Sequence, residues 1–226
     1  MTLSAEASLD AVIFDLDGTL VDTAPEFINV IQGLRKRHEL PLLPEETIRQ
    51  TVTNGAAALV SLALGITNEN SEFEHHREQF LLEYERALGK EAVVYPGLRG
   101  LINSLGEKQI PWGVATNKFR RYAEPLMTAL NFSPAAQCLI TPTEVTHPKP
   151  DPESVLLSCE TLGARPSRCV YVGDHQRDIK AGKAAGCQTI AAAYGYVEPG
   201  VDPRYWQADY LVESSEELSR LLMRMI

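Results

Sequence analysis

Short apolar runs alternate with helical patterns through most of the chain. The runs at 11–14, 112–115, 138–140, 169–172 and 189–192 have the length and composition of buried strands. Between and after them, apolar positions recur at helical spacing in the stretches 98–105, 123–130, 152–162, 179–185 and 216–225. This alternation predicts an α/β fold in which a parallel sheet carries helices on both faces.

One long stretch departs from this alternation. From about residue 25 to residue 87 the apolar positions keep helical spacing, as in Phe27, Ile28, Ile31 and Leu34, and no convincing strand appears. The pattern predicts a helical cap domain inserted after the first strand. The expected division is a core of residues 1–22 and 96–226 and a cap of residues 23–95.

Two carboxylates and a glycine turn follow the first apolar run. Asp15, Asp17, Gly18 and Thr19 stand where a buried strand would end. Carboxylates held close together repel unless they share a cation or a proton, so a divalent metal is expected here. Phosphoryl transfer fits these residue types, with one Asp as nucleophile, the other as acid and base, and the Thr hydroxyl on phosphate oxygens. The plainer alternative is a strand-helix turn with capping residues.

Later strand ends carry further groups that suit phosphate and metal. Thr116 and Asn117 close the run at 112–115, and Lys149 follows the run at 138–140 after a loop. Asp174 and Asp178 follow the run at 169–172. Ligands of open α/β sheets bind beyond the carboxyl ends of the strands, so these side chains are expected to share one site.

The four segments, in this order, resemble the motifs of the haloacid dehalogenase superfamily of phosphohydrolases. The resemblance covers nearly the whole chain, and it implies a Rossmann-like core with an inserted cap. It implies that Asp15 is the nucleophile and Asp17 the general acid and base, and that Thr116 and Lys149 hold the phosphate. The cofactor that it implies is Mg²⁺, held by the residues Asp15, Asp17 through its main-chain carbonyl, Asp174 and, directly or through water, Asp178.

Resemblance to one branch of the superfamily narrows the range of expected substrates. Residues 194–209, with Tyr194-Gly195-Tyr196, are similar to the phosphoglycolate-phosphatase-like branch. Together with Thr116-Asn117-Lys118 and Ala123-Glu124-Pro125, they are most similar to the phosphatases that act on N-acetylmuramic acid 6-phosphate in peptidoglycan recycling. The implied partner is a small phosphorylated metabolite, an amino sugar phosphate or phosphoglycolate. A β-phosphoglucomutase-like mutase and a non-catalytic phosphate-binding protein are the alternatives.

The leaving group is expected to be recognised by the cap and by nearby core residues. Candidates on the cap are Arg49, Thr53 and Asn54, and candidates on the core, besides Asn117, are Lys118 and Arg121. Ordinary solvated or capping roles are the alternative for each of these residues. A cap that closes over the site would exclude water while it selects the substrate.

Charge and cysteine usage exclude other classes of function. A net charge of −9 argues against a nucleic-acid partner, which would require a basic face. Residues 1–8 lack the basic start and apolar core of a secretory signal, and the longest apolar stretch, 56–66, is too short to span a bilayer. The four cysteines form no Cys-x-x-Cys pair. We therefore expect reduced thiols and a cytoplasmic enzyme without a membrane partner.

Overall fold

The computed structural model describes residues 9–226. The strands in this part of the chain are β1 (Ala11–Phe14), β2 (Val21–Asp22), β3 (Val93–Val94), β4 (Trp112–Ala115), β5 (Cys138–Ile140), β6 (Cys169–Gly173), β7 (Gln188–Ala192) and β8 (Tyr210–Val212). The α-helices are α1 (Ala24–Arg37), α2 (Glu45–Thr51), α3 (Gly55–Leu64), α4 (Phe73–Ala87), α5 (Leu98–Glu107), α6 (Arg120–Leu130), α7 (Glu153–Thr161), α8 (Gln176–Ala185) and α9 (Ser215–Met225). Short 3₁₀ turns cover Val52–Asn54, Pro166–Arg168 and Pro203–Trp206.

Six strands form one parallel sheet in the order β5-β4-β1-β6-β7-β8. The chain builds outward from β1 through β4 to β5, and then crosses to the other side of β1 to add β6, β7 and β8. This reversal places the carboxyl ends of β1, β4 and β6 side by side. Ligands of open α/β sheets bind at such a switch point.

Helices cover both faces of the sheet. Val12 and Phe14 of β1 pack in one apolar cluster with residues of α5, α6 and α9. Ala11 and Ile13 point to the opposite face, where they pack with residues of α7 and α8. Successive residues of a strand face opposite sides, so a strand buried on both faces is apolar throughout, as β1 is.

Helices α1 to α4 form a separate packed layer, here called the helical insertion. Their apolar residues make one cluster around Ile31, Leu59 and Phe80. Phe27 of α1 stacks on Tyr84 of α4, with ring centroids 4.1 Å apart. The cluster also includes Tyr122 and Tyr196 of the core, so the insertion packs against the sheet domain near the switch point.

An antiparallel ribbon joins the helical insertion to the core. Strand β2 enters the insertion and β3 leaves it, and the two pair through Val21 with Val94 and Asp22 with Val93. Both connections between the insertion and the core therefore run through one narrow element. The sequence analysis expected the boundaries between core and cap near these two places, and we call this ribbon the hinge.

The predicted α/β class and the parallel sheet with helices on both faces are confirmed. Strand β8 and the ribbon strands were not predicted. The ribbon strands have two residues each and β8 has three. A two-residue strand carries no readable periodicity, and pairing with its neighbour defines it.

All four cysteines are buried free thiols, as predicted. Within residues 9–226, none of the helices combines the length and the apolar character that crossing a bilayer requires. The segment 1–8, on which the prediction about a secretory signal rests, lies outside the described residues.

Candidate active site

Three carboxylates meet at the carboxyl ends of β1 and β6. One oxygen each of Asp15, Asp174 and Asp178 lies within 4.8 Å of the other two. Asp15 directly follows β1, Asp174 directly follows β6, and Asp178 lies in the first turn of α8. The parallel order of the sheet brings these distant segments together, as the sequence predicted.

Glycines make this close approach possible. Gly18 has a positive φ of 79°, and a Cβ at this position would lie 2.1 Å from Asp174 Oδ2. A Cβ at Gly173 would lie 2.2 Å from the Cβ of Asp178. Any side chain at these two positions would displace a carboxylate of the cluster, so both glycines are required by packing, and Gly18 is required by its backbone conformation as well.

The start of α8 fixes the orientation of Asp178. The side chain of His175 accepts from the backbone N–H of Arg177 at 3.0 Å, and Asp178 Oδ2 accepts from the backbone N–H of His175 at 3.0 Å. This reciprocal capping box satisfies two free N–H groups of the helix. It leaves the other oxygen of Asp178 directed toward Lys149, at 2.7 Å.

Burial gives the acidic cluster an affinity for cations. Burial raises the pKa of Asp174 well above its usual range, and the neighbouring carboxylates of Asp15 and Asp178 raise it further. Burial also raises the pKa of Asp178, although the Lys149 ammonium opposes the shift. A divalent cation would relieve this repulsion, and carboxylate oxygens are the ligands that Mg²⁺ prefers. The donor set therefore fits Mg²⁺.

Lys149 is held among four oxygen atoms. Its Nζ lies 2.8 Å from Asp15 Oδ1, 2.7 Å from Asp178 Oδ1, 3.0 Å from the carbonyl of Ala115 and 2.8 Å from the hydroxyl of Tyr171. Burial disfavours the ammonium, but the carboxylates of Asp15 and Asp178 outweigh this effect and raise the pKa of Lys149. The site therefore retains a fixed positive charge beside Asp15.

Asn117 positions the backbone of Lys149. Its amide nitrogen donates to the carbonyl of Lys149, and its amide oxygen accepts from the N–H of Lys149, both at 3.0 Å. The sequence analysis placed Asn117 among the residues that bind substrate. In the structure the side-chain amide of Asn117 is hydrogen-bonded to the backbone of Lys149, and Asn117 also lines the cavity described below.

Asp17 faces away from the other acids. Its carboxylate accepts from the hydroxyl of Thr23 at 2.6 Å and pairs with Lys118 Nζ at 2.9 Å. Lys118 also donates to the hydroxyl of Tyr84 at 2.6 Å, and its ammonium lies 5.2 Å from the ring centroid of Phe27. The Asp17 side chain is thus outside the metal-type cluster, and only its main chain is left for the metal contact that the resemblance implied.

Two threonines were predicted to contact phosphate, and their hydroxyl groups have different surroundings in the structure. Thr116 Oγ1 accepts from the N–H of Lys118 at 3.1 Å, which leaves its hydroxyl proton available to a ligand in the cavity. Thr19 is fully buried, and its hydroxyl donates to Asp174 Oδ1 at 3.2 Å. Thr19 therefore positions Asp174, and it is not among the residues that line the cavity described below, so its contact with substrate stays a prediction.

A cavity of about 540 Å³ opens above Asp15, between the core and the helical insertion; we call it the site cavity. Its polar floor includes Asp15, Asp17, Thr116 and Lys149. The other lining residues are Phe27, Val52, Thr53, Asn54, Gly55, Ala56, Arg77, Leu81, Tyr84, Asn117, Lys118, Phe119, Arg121, Tyr122 and Arg177. One wall is thus largely apolar and aromatic, and the rest is polar.

The predicted cap contacts divide into two groups. Thr53 and Asn54 line the site cavity, but each already contacts the core. Thr53 accepts from Arg177, and Asn54 donates to Glu198 at 2.8 Å. Arg49 lies outside the cavity lining, and its guanidinium binds Asp22 at 2.8 Å; its contact with substrate stays a prediction.

Sequence reasoning missed two tyrosines that organise the site. Tyr171, inside β6, accepts from Lys149 and donates to the carbonyl of Ala115 at 2.8 Å. Tyr196 donates its N–H to Asp174 Oδ2 at 2.7 Å and places its hydroxyl at the hinge. Both side chains are almost fully buried. A tyrosine inside an apolar run is the available signal, because a buried phenol hydroxyl usually has a hydrogen-bond partner.

The family model for haloacid dehalogenase-like hydrolases matches residues 12–192 of the chain. The chain therefore belongs to this family, and the predicted enzyme class, a hydrolase of the haloacid dehalogenase type, is confirmed.

Relatives of known name lie in the branch that the sequence analysis indicated. An N-acetylmuramic acid 6-phosphate phosphatase of Pseudomonas aeruginosa is 41% identical over 218 residues, which cover 96% of each chain. A phosphoglycolate phosphatase of Xanthomonas campestris pv. campestris is 34% identical over 208 residues, covering 92% of this chain and 94% of the relative. The crystal structure of a predicted phosphoglycolate phosphatase from Haemophilus somnus 129pt shares the fold, with a TM-score of 0.82 at 24% identity, covering 96% of this chain and 99% of that one.

Proposed function

We propose that the chain is a magnesium-dependent phosphatase that hydrolyses N-acetylmuramic acid 6-phosphate through an aspartyl phosphate on Asp15. The 41% identical relative carries this name, and the site holds the groups that the reaction needs. The size of the site cavity is the observation that carries the choice of substrate. The buried free thiols are typical of a reducing compartment, which supports the cytoplasm as the place of action.

In the first step, a carboxylate oxygen of Asp15 attacks phosphorus and the bond to the ester oxygen breaks. The Lys149 ammonium lies 2.8 Å from Asp15 and offsets the repulsion between the carboxylate and the incoming phosphate. Thr116 donates its hydroxyl proton to a phosphate oxygen. The product of this step is a phosphoryl group bound to Asp15 and a leaving alkoxide.

Asp17 supplies the proton that the alkoxide requires. The incoming phosphate competes with Asp17 for the Lys118 ammonium, which leaves the carboxyl group free to carry this proton. After the leaving group departs, Asp17 accepts a proton from water as the water oxygen attacks phosphorus. Inorganic phosphate leaves, and the Asp15 carboxylate is restored.

The residues that would hold Mg²⁺ are Asp15, Asp174 and Asp178, with the main-chain carbonyl of Asp17. When bound, the ion supplies positive charge that stabilises the phosphate oxygens during transfer. Thr19 and Tyr196 keep Asp174 in place through hydrogen bonds of 3.2 and 2.7 Å.

The size of the site cavity favours a sugar as leaving group. A volume of about 540 Å³ lies in the range of sites that enclose a whole organic ligand, about 300 to 1000 Å³. Glycolate is far smaller than N-acetylmuramic acid and would leave most of this space to water. Phe27, Leu81 and Tyr84 offer an apolar wall for the face of a sugar ring. We propose that residues 23–95 act as a cap that encloses this leaving group.

A substrate panel tests the proposal. We expect kcat/KM with Mg²⁺ to be highest for N-acetylmuramic acid 6-phosphate, compared with 2-phosphoglycolate, β-glucose 1-phosphate and an aryl phosphate. A kcat/KM for 2-phosphoglycolate equal to or above that for the amino sugar phosphate would overturn the choice of substrate. Absence of metal-dependent phosphate release from every compound would favour a non-catalytic binding protein.

Replacing the nucleophile tests the mechanism. Asp15→Asn should lower kcat by on the order of 10⁴ or more, because an amide cannot form the acyl phosphate. The fold should survive, since Lys149 keeps its contact with Asp178 at 2.7 Å. Asp202→Asn, at an exposed pair with Arg204, is the control. Substantial turnover by folded Asp15→Asn would contradict the assignment.

Substrates with different leaving groups distinguish the proposed role of Asp17 as acid from that of Asp15 as nucleophile. Asp17→Asn should lower kcat for a sugar phosphate by about 100- to 10,000-fold, because a sugar alkoxide needs a proton. The loss for an aryl phosphate should be much smaller, since a phenolate leaves unprotonated. Equal losses on both substrates would contradict the role of Asp17 as acid.

A further inference from the structure

The wall of the site cavity carries an excess of positive charge that the phosphoryl chemistry does not use. Its lining includes the five cations Arg77, Lys118, Arg121, Lys149 and Arg177, but only two carboxylates, Asp15 and Asp17. The chain as a whole has a net charge of −9. The positive charge of the cavity lining is thus opposite in sign to the net charge of the chain, and it indicates an anionic ligand.

Three of the five cations already have internal partners. Lys149 pairs with Asp15, and Lys118 pairs with Asp17 at 2.9 Å. Arg177 donates to the carbonyl and hydroxyl of Thr53 at 2.5 and 2.6 Å. Lys149 and Lys118 are also assigned to the phosphate in the proposed mechanism, and Arg177 holds the helical insertion to the core, so none of the three is left for a further anionic group.

The remaining two cations have only weak, solvent-exposed partners. Arg77 pairs with Glu74, whose side chain is 66% exposed. Arg121 lies 3.6 Å from Glu85, and both of these side chains are at least half exposed. Exposed pairs of this kind contribute little to stability, so a ligand carboxylate can replace them at small cost.

Tyr122 lies against Arg121 in the cavity wall. The guanidinium of Arg121 lies 4.6 Å from the centroid of the Tyr122 ring, which holds it against the cavity wall. Tyr122 is 95% buried and lines the site cavity, and its hydroxyl has no hydrogen-bond partner among the described residues. A buried donor without a partner is costly in the free protein and gains from an acceptor on a ligand.

The position of Arg77 along α4 separates it from the reacting phosphate. Tyr84 contacts Lys118, which contacts Asp17, so this part of α4 lies over the acid. Arg77 precedes Tyr84 by seven residues on the same helix, a separation of about 10 Å along the axis. A carboxylate joined to the ester oxygen through one carbon, as in phosphoglycolate, is too short to span this distance.

We propose that Arg77, Arg121 and the hydroxyl of Tyr122 form a distal carboxylate subsite, which binds an acidic substituent on the far side of the sugar from its phosphate. The inference rests on the proposed phosphatase function and extends it, because it names the part of the leaving group that selects the substrate. The lactyl carboxylate of N-acetylmuramic acid is a substituent of this kind.

Two substrates that differ only in this substituent test the subsite. The pair is N-acetylmuramic acid 6-phosphate and N-acetylglucosamine 6-phosphate, which lacks the lactyl group. Arg121→Gln and Arg77→Gln should each lower kcat/KM for the first substrate by about 10- to 100-fold, as expected for loss of a charge-assisted hydrogen bond. The kcat/KM for the second substrate, and for an aryl phosphate, should be unchanged.

Controls separate the subsite from structural damage. Arg204→Gln, at a side chain that is 79% exposed, should leave both substrates unaffected. Tyr122→Phe should act in the same direction as the arginine variants, with a smaller effect. Equal losses on both sugar phosphates, or no loss in either arginine variant, would overturn the subsite.

A second measurement keeps the test independent of the proposed function. If the enzyme hydrolyses an aryl phosphate but neither sugar phosphate, the substrate proposal fails while the subsite can still be tested. Unphosphorylated N-acetylmuramic acid should then inhibit aryl phosphate hydrolysis more strongly than N-acetylglucosamine, and Arg121→Gln should abolish the difference. Equal inhibition by the two sugars would overturn the subsite itself.

Discussion

The hydroxyl of Tyr196 joins the active site to the hinge, and its removal is a sharp test of that connection. It accepts from the backbone N–H groups of Thr23 and Ala24 at 2.7 and 2.8 Å, and donates to Asp22 at 2.8 Å. All of these residues lie where β2 runs into α1. Tyr196→Phe removes the hydroxyl and preserves the ring, so the apolar packing should be retained.

The three hydrogen bonds that Tyr196→Phe removes do not contribute equally to the stability of the protein. The N–H of Ala24 keeps a hydrogen bond to Asp22 Oδ1 at 3.1 Å, and Asp22 keeps Arg49 at 2.8 Å. The N–H of Thr23 has no second acceptor among the described residues, and it becomes a buried donor without a partner. One such group costs about 1 to 3 kcal/mol. For a chain of this length, about 2 kcal/mol corresponds to a fall in Tm of about 4 to 8 °C.

Thermal unfolding of Tyr196→Phe, with Tyr205→Phe as a control at a tyrosine that is 79% exposed, measures this cost. Activity should fall as well, since Thr23 holds Asp17 through a 2.6 Å hydrogen bond. The loss in kcat should be larger for a sugar phosphate than for an aryl phosphate, because only the former needs the proton of Asp17. A Tm within about 1 °C of the wild type would refute the reasoning.

Two further perturbations probe the acids. Asp174→Asn should raise the Mg²⁺ concentration for half-maximal activity of the chelator-treated enzyme by at least about tenfold, whereas Asp202→Asn should not; an unchanged titration would contradict the ligand role. Glu26 is buried, one of its oxygens has no partner, and burial raises its pKa above the usual 4.5. A raised carboxyl pKa removes stability as pH rises through it, so Glu26→Gln should have a higher Tm than the wild type at pH 7 and an equal Tm below about pH 4.5. A difference in Tm that is independent of pH would contradict this.

The catalytic core was predictable because parallel strands bring their carboxyl ends to one edge of a sheet. An acid or a lysine placed directly after a buried strand is therefore assigned to that edge by the sequence alone. Asp15 and Asp174 follow this rule, Lys149 follows its strand after a loop, and the structure brings the three together. The position of each strand in the sheet was not needed for the prediction.

The contacts that could not be predicted are those of short polar side chains whose partners lie far along the chain. Thr19 binds Asp174, 155 residues away, and Asn117 binds the backbone of Lys149, 32 residues away. Motif spacing places such residues near the phosphate but does not show which neighbour takes their hydrogen bond. Arg49 was a candidate cap contact, and the sequence does not show that its guanidinium pairs with Asp22, 27 residues away.

The contacts between the cap and the core connect substrate selection to the metal-type cluster. Arg177 precedes Asp178 in the first turn of α8, and it donates to Thr53 in the 3₁₀ turn of the helical insertion. The adjacent Asn54 binds Glu198 of the core. Hydrogen bonds of this kind at a partly exposed interface contribute about 1 kcal/mol each, a few kcal/mol in total. This sum is small enough for thermal opening to release product, and it is comparable to what a well-fitted leaving group adds. We therefore expect selectivity to act through closure: a substrate that fills the cavity wall would add the binding energy that keeps Asp17 and the proposed cap in place during transfer.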